Sequence, residues 1–300
     1  MKFKIAILGA GAIGQVLAQT FRKNKHRVEL WDINPKIHSQ QKNLEKIIAE
    51  AQFIFLCFPS SGILETIKKI TPFIKKETII ISLAKGIAKN YAKPINQILK
   101  ENLKPSQPFA LLVGPFLAVE IKNRLPALGV IATKHKKTFA QIKKLFEKTK
   151  IYLGYTNDVA GAALASSLKN IYAILLGIVD GLHLGNNAKG YLAAKAAEEM
   201  MIILRILRTK TTTALGPAGL GDLIATSFSP YSRNRNVGEI IGKTGKSSIK
   251  SEGFRSIVFF RKTLKKHISS LPLLQALSKI IIKKSNPRKT LESLIKKSHF

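Results

Sequence analysis

Six residues near the N-terminus, Gly9-Ala10-Gly11-Ala12-Ile13-Gly14, restrict the fold of this chain more than any other stretch. They follow an apolar run at residues 2–8 that reads as a buried strand. They precede a helical pattern marked by Val16, Leu17, Ala18 and Phe21. A second strand, Arg27–Trp31, then ends at Asp32. In a strand, glycine turn, helix and strand of this kind, Gly9 permits the tight turn and Gly11 lets a pyrophosphate approach the backbone. Gly14 lets the helix pack close to the strand. The helix N-terminus then faces the phosphate charge. Asp32 stands where a carboxylate can accept from a ribose 2′-hydroxyl, and it would repel a 2′-phosphate, which favours NAD over NADP. Arg27 and Lys36 lie close enough in sequence to keep NADP open, and Asp32 could instead cap the loop Ile33-Asn34-Pro35.

Strand and helix patterns keep alternating through the first half, which predicts an α/β, Rossmann-type dinucleotide-binding domain over residues 1–157. Strands are expected at 53–58, 78–83, 109–113, 128–132 and 151–155, and helices at 63–74 and 138–148. Lys85 follows one strand and Gly114 another, at the edge where ligands bind in open α/β sheets. After Asn157 the strand signals largely stop. Residues 159–182, 190–207, 221–226, 237–242, 254–267, 271–283 and 290–297 read as helical or helix-compatible. This predicts an all-α domain over 158–300, with the active site in the cleft between the two.

Within the helical half, Lys169 and Asn170 sit in an apolar run rich in small residues. Lysine on such a helix usually faces solvent. The alternative is a partly desolvated ammonium tuned to pass a proton. The loop at 216–222 ends in Asp222, which could simply open a helix. The polar stretch at 229–236 reads as a loop in which Arg233 offers a planar fork for phosphate or carboxylate, with Ser232 and Asn234 as neutral donors.

Lysine and arginine number 50 against 17 aspartates and glutamates, a net charge of +33. The lysines fall in scattered pairs, with no basic arm and no basic stretch interleaved with aromatics. They read as solvated helix faces, and no specific nucleic-acid partner is expected. Cys57 is the only cysteine, which suits a reducing, cytoplasmic setting. No membrane insertion is expected, because Lys169 and Asp180 interrupt the longest apolar stretch, residues 160–182. No metal site is expected.

Several short motifs together resemble the bacterial-type NAD(P)-dependent glycerol-3-phosphate dehydrogenases. They are residues 9–14, Leu83-Ala84-Lys85-Gly86-Ile87, Val113-Gly114-Pro115 with Ala118 and Glu120, and Leu168-Lys169-Asn170-Ile171 with Gly177 and Asp180-Gly181-Leu182. The helical half adds Gly219-Leu220-Gly221-Asp222-Leu223, Ser232-Arg233-Asn234-Arg235 and Glu252-Gly253. The resemblance implies interconversion of dihydroxyacetone phosphate and sn-glycerol 3-phosphate with NAD or NADP, feeding glycerophospholipid synthesis, in an enzyme expected to be a homodimer. It makes Lys169 the proton donor or acceptor. It places Lys85, Gly114, Asn170, Asp222, Thr226, Ser232, Arg233 and Asn234 at the substrate. It places Ala12, Ile13, Lys85, Ala118, Arg233 and Glu252 at the cofactor, with Gly9, Gly11, Gly14 and Asp32 of the glycine turn and second strand. The sequence departs from the family pattern at Phe116, where a serine is usual, at Ile13, where an aromatic is usual, and in a shortened segment between Asp32 and Phe53. Two other readings suit these residues: a related nicotinamide-dependent reductase of another small acid or phosphate, and a non-catalytic nucleotide-binding relative.

Overall fold

The structure, a computed structural model, describes residues 2–39, 42–88, 93–249 and 251–297. It divides into two compact units, Met1–Ala163 and Leu164–Phe300.

The first unit runs β1 (Lys4–Leu8), α1 (Ala12–Lys23), β2 (Arg27–Trp31), α2 (Leu44–Glu50), β3 (Phe53–Leu56), α3 (Ile63–Ile70), β4 (Ile79–Ser82), α4 (Ile95–Asn102), β5 (Phe109–Val113), α5 (Ala118–Lys122), β6 (Ala127–Ala132), α6 (Lys136–Leu145) and β7 (Ile151–Thr156). The strand order is β2-β1-β3-β4-β5-β6-β7. Strands β1 to β5 are mutually parallel, and β6 turns antiparallel to β5. The chain steps from β1 to β2 on one side and to β3 on the other. The glycine loop therefore sits at the point where the strand order reverses, the ligand edge of a Rossmann-type sheet. Strands β3 and β4 are buried at every position, as continuous apolar runs covered on both faces should be.

Several element boundaries differ from the sequence expectation, each for a local reason. Helix α3 stops at Ile70 rather than 74 because Pro72 ends it in a 3₁₀ turn at Thr71–Phe73. Helix α6 stops at Leu145 rather than 148, and Lys148 takes a left-handed conformation with φ 59°. Helices α2, α4 and α5 are too short for a periodic pattern to reveal them.

Helix α7 (Val159–Gly181), which enters the second unit at Leu164, is followed by α8 (Gly185–Ile206), α9 (Asp222–Phe228), α10 (Arg233–Thr244), α11 (Glu252–Thr263), α12 (Pro272–Ile281) and α13 (Pro287–Lys297). Helix α8 begins five residues before the expected 190, and α10 begins at Arg233 rather than 237. The expected loop at 229–236 thus becomes, in its second half, the first turn of α10, capped by the Ser232 hydroxyl accepting from Arg235 N. Helix α7 starts at an equivalent cap, Asp158 Oδ1 accepting from Gly161 N at 3.0 Å. By length and composition α7 could cross a membrane, although it carries Lys169 and Asp180. It is instead buried at all positions but Ala160 and Asp180, as the central helix of the second unit.

Helices α7 and α10 meet along a glycine seam. A Cβ on Gly177 would lie 2.1 Å from Arg235 O, and one on Gly181 would lie 2.2 Å from Glu239 O. Reciprocally, Cβ atoms on Gly238 and Gly242 would lie 2.1 Å from Ile174 O and 2.6 Å from Ile178 O. Spacing of four residues puts each glycine pair on one helix face, so the two backbones touch with no side chain between them. This contact sets where the first turn of α10 stands relative to the middle of α7.

Candidate active site

In the first unit, Gly9 has φ +103°, a conformation that suits glycine. A Cβ there would also strike Cys57 O at 2.7 Å. A Cβ on Gly14 would fall 1.8 Å from Gly9 O, so α1 packs directly onto the turn. A Cβ on Gly11 would meet nothing within 4 Å. Helix α1 begins at Ala12, just after Gly11, with no side-chain cap and no acidic residue in its first turn. Ala12 and Ile13 therefore supply N–H groups of the kind that bind phosphate. Open space over Gly11 and uncapped helix donors fit a dinucleotide pyrophosphate.

Asp32 follows the end of β2, where Gly9 N donates to Trp31 O at 2.7 Å. Its Oδ2 accepts from Ala10 N at 2.7 Å and its Oδ1 from Asn34 N at 2.8 Å. The carboxylate thus braces the glycine turn and caps the following loop. Arg27 opens β2, at the opposite end of the strand from Asp32, and is 3.6 Å from Glu50 and 3.8 Å from Glu29. The structure corrects the reading that sequence proximity keeps Arg27 available to a 2′-phosphate: proximity along a strand is not proximity in space. Lys85, beyond β4, donates from Nζ to Gly114 O at 3.1 Å, tying together two loops at the ligand edge of the sheet. Ala118 is the first residue of α5. Phe116 packs on the sheet core, so the residue after Pro115 serves as apolar packing. Cys57 is buried, and burial pushes its thiol pKa up, leaving it a small apolar side chain.

In the second unit, Lys169 is 6% exposed. Its Nζ donates to Asp222 Oδ1 at 3.1 Å and to Thr226 Oγ1 at 2.7 Å. Thr226 Oγ1 stands 3.3 Å from Asp222 Oδ1. Asp222 and Thr226 are one helical turn apart on α9, so a single short helix supplies both partners. An ammonium in an apolar core is tolerated only when paired and hydrogen-bonded in this way.

Beside it, a chain of amides has a fixed sense. Gly253 N can only donate, and it donates to Asn234 Oδ1 at 3.3 Å. The Asn234 amide is thereby oriented to donate from Nδ2 to Asn170 Oδ1 at 2.9 Å. Asn170 must then present its Nδ2 onward, and this buried donor has no partner among the described residues. A buried N–H₂ without an acceptor is costly, and a ligand oxygen would satisfy it. Arg233, first residue of α10, is exposed and free of ion pairs among the described residues, so its guanidinium is available to an anion. Glu252 opens α11, 3.9 Å from Arg255.

Two charged clusters escaped the sequence reading. Asp180 accepts from Lys189 at 2.8 Å and from Arg235 at 3.0 Å, linking α7, α8 and α10. Arg235, two residues after Arg233, is committed to that brace and to Glu239 at 3.1 Å. Glu199 accepts from Tyr172 OH at 2.9 Å and from Leu273 N and Leu274 N at 2.8 Å each, capping α12. The signal for the first was on the page: an aspartate inside an apolar helix needs partners.

Models of the NAD-dependent glycerol-3-phosphate dehydrogenase family match both parts of the chain, the N-terminal model at residues 4–41 and 38–139 and the C-terminal model at 158–292. The chain belongs to this family. It is 30% identical to the NAD(P)+ glycerol-3-phosphate dehydrogenase of Clostridium acetobutylicum, over 97% of the chain and 96% of the relative. It is 31% identical to a chloroplastic NAD+ glycerol-3-phosphate dehydrogenase of Oryza sativa, over 97% of the chain and 74% of that protein. The solved glycerol-3-phosphate dehydrogenase of Coxiella burnetii superposes with a TM-score of 0.88 at 26% identity, covering 99% of both chains. Against that family, Lys169, Asp222, Thr226, Asn170, Asn234 and Arg233 form a buried, partnered constellation with one donor to spare and one exposed cation.

Proposed function

We propose that this chain interconverts dihydroxyacetone phosphate and sn-glycerol 3-phosphate with NAD(H) or NADP(H), supplying a precursor of glycerophospholipids. The observation that carries the reading is the Lys169 ammonium, buried on Asp222 and Thr226 beside the outward amide donor of Asn170. A bound nicotinamide supplies or accepts the hydride.

The chain's own residues do the rest. In the reducing direction negative charge grows on the ketone oxygen, and Lys169 stabilises that oxygen and gives it a proton. Asp222 and Thr226 hold the ammonium in place and offset its burial. Asn170 donates to a substrate oxygen, with its orientation fixed through Asn234. Arg233 and Asn234 hold the phosphate, and Ser232, Lys85 and Gly114 complete the substrate contacts. Gly9, Gly11, Ala12, Ile13 and Gly14 bind the pyrophosphate, Asp32 the ribose, and Lys85, Ala118, Arg233 and Glu252 the rest of the dinucleotide. Asp32 favours NAD, and the engagement of Arg27 elsewhere removes one argument for NADP. We read the enzyme as a cytoplasmic homodimer, two-fold dimers being the commonest soluble oligomers. Light scattering on the purified protein tests that.

The deciding assay is oxidation of NADH against NADPH with dihydroxyacetone phosphate. Lys169→Ala should lower turnover by about 10²- to 10⁴-fold while NADH still binds. Normal turnover in that variant, or turnover only with another carbonyl compound, would remove this reading.

A further inference from the structure

Asp180 is the one charged side chain of α7 that the proposed chemistry leaves unused. It stands eleven residues after Lys169, roughly 16 Å along the helix, too far to touch the reacting group. Both its oxygens are engaged. Lys189 Nζ lies 2.8 Å from Oδ1 and 2.9 Å from Oδ2, and Arg235 Nε donates to Oδ2 at 3.0 Å. The Lys189 ammonium also stands 4.3 Å over the Phe228 ring. A contact of that kind gains strength where water is excluded, as at this buried lysine. Phe228 is the last residue of α9, and Arg235 lies in the first turn of α10. One carboxylate therefore reaches both ends of the short connection at residues 229–232.

Within that connection, Tyr231 N donates to Ser229 Oγ at 3.2 Å and Ser232 N to Ser229 O at 3.3 Å. The Arg235 guanidinium carries the anchoring further. Its Nη1 donates to Asn236 Oδ1 at 3.2 Å, and Asn236 Nδ2 donates to Pro230 O at 3.0 Å. The charge at the start of α10 points the same way. Arg233 and Arg235 both stand in its first turn, where cations oppose the helix dipole, and α10 has no acidic residue there. Asp180 supplies the missing negative charge from α7. It engages Arg235 and leaves Arg233, the exposed cation, to a ligand anion.

We propose that Asp180 is a positioning residue of the substrate site. Through Lys189 and Arg235 it anchors the end of α9 and the start of α10, and so fixes where Ser232, Arg233 and Asn234 meet the substrate phosphate. The proposal rests on the reading of those three residues given above. The pair of Arg235 with Glu239 cannot serve the same end, because both residues belong to α10. Nor does stability alone call for the cluster, since apolar side chains of similar size commonly serve as well as a buried ion pair.

Steady-state kinetics and backbone hydrogen exchange on the full chain test it. In Asp180→Asn, KM for dihydroxyacetone phosphate should rise about 10- to 100-fold with a smaller fall in kcat, since a displacement of about 1 Å at a bound group is enough. The Arg235 and Asn236 amides, which donate to Ser232, should exchange at least about tenfold faster, while those of α12 keep parental rates. Arg235→Met leaves the Lys189 pair whole, so it reads the α10 anchor even where Asp180→Asn lowers the melting temperature, and it should raise KM in the same way. The two changes together should be no worse than Asp180→Asn alone, because they remove the same anchor. Glu239→Gln, which removes a partner of the same arginine within its own helix, should keep parental KM and exchange. The proposal is overturned if Asp180→Asn and Arg235→Met keep the parental KM, or if exchange at residues 235 and 236 is unaltered. It is equally overturned if the two effects multiply, or if Glu239→Gln loses as much. Parental KM in the variants of a chain that turns the substrate over removes the positioning role alone, whereas a parent that does not reduce dihydroxyacetone phosphate removes the function reading together with it.

Discussion

Gly177→Ala tests the link between helix packing and chemistry. The new Cβ would lie 2.1 Å from Arg235 O and 3.0 Å from Glu239 N, both backbone atoms of α10 that cannot move singly. Helix α10 must therefore shift as a body by about 1 Å before that contact reaches an ordinary separation. Overpacking of this kind costs about 1–3 kcal/mol. Replacing a mid-helix glycine by alanine returns about 0.5–1 kcal/mol. The net loss is at most about 2.5 kcal/mol, a drop of no more than several degrees in melting temperature. Activity should suffer more. The Asn234 to Asn170 bond is 2.9 Å, and opening it by about 1 Å takes it beyond hydrogen-bonding range. A displacement of that size at a reacting centre can lower kcat/KM about 10²-fold. The NADH dissociation constant should change far less than kcat/KM, because the glycine loop lies in the other unit and Arg233 is the one residue of α10 assigned to both cofactor and substrate. Gly190→Ala is the control: it is also mid-helix, its Cβ meets nothing within 4 Å, and it should raise stability by about 0.5–1 kcal/mol with activity intact. Steady-state NADH oxidation and thermal melting of both variants decide the matter. Parental kcat/KM in Gly177→Ala, or an equal loss in Gly190→Ala, would refute the reasoning.

Asn170→Asp keeps the acceptor for Asn234 but replaces the outward N–H₂ by an acceptor, so KM for dihydroxyacetone phosphate should rise about 5- to 150-fold, the equivalent of the roughly 1–3 kcal/mol of a buried group left unsatisfied; an unchanged KM would show that no substrate oxygen meets this amide. Asp32→Ala removes the acceptor for Ala10 N and Asn34 N, so KM for NADH should rise and the ratio of NADH to NADPH turnover should fall; an unaltered ratio would remove Asp32 from cofactor selection. Burial raises the Glu199 carboxyl from 4.5 to about 7, outweighing its three donors. Between those values the folded chain holds a proton that the unfolded chain has released, so this group's contribution to stability falls as pH rises through that window, by about 3 kcal/mol in all. Glu199→Gln mimics the protonated acid, and denaturant midpoints between about pH 5 and pH 8 should fall less steeply with pH than in the parent; parallel profiles would contradict the assignment.

What could be read from the chain in advance was local. The strand, glycine turn and helix around residues 9–14 follow from spacing alone, because each glycine answers a constraint set within the same few residues. The helical second half was legible from periodicity. What could not be read depends on contacts between distant segments. Arg233 and Arg235 look equivalent in sequence, yet one is exposed and the other is clamped by Asp180 and Glu239. The scattered lysine pairs look solvated one by one, and only the fold gathers Lys23, Lys122 and Lys150 around one cavity. The start of α10 was missed because Arg233 and its polar neighbours carry no apolar stripe, and the Ser232 cap alone marks the boundary.

Lys169 shows how far a residue's meaning depends on such contacts. On its helix it is one lysine among many, and solvent is its usual neighbour. Burial at 6% exposure makes an unpaired ammonium there untenable, so Asp222 and Thr226 follow as a physical requirement. That pairing alone would also suit a purely structural brace, as Glu199 and Tyr172 show nearby. The difference lies in the next residue. The Glu199 cluster satisfies all the bonds it is given, whereas the amide chain from Gly253 through Asn234 ends on an Asn170 donor with no partner among the described residues. A brace has no use for an unsatisfied buried donor, and a site that must orient an oxygen-bearing ligand does. The backbone N–H of Gly253 sets the sense of that chain, and a backbone group leaves no mark in a sequence motif beyond the glycine that lets α11 approach: a Cβ at that position would meet Asn170 O at 2.7 Å.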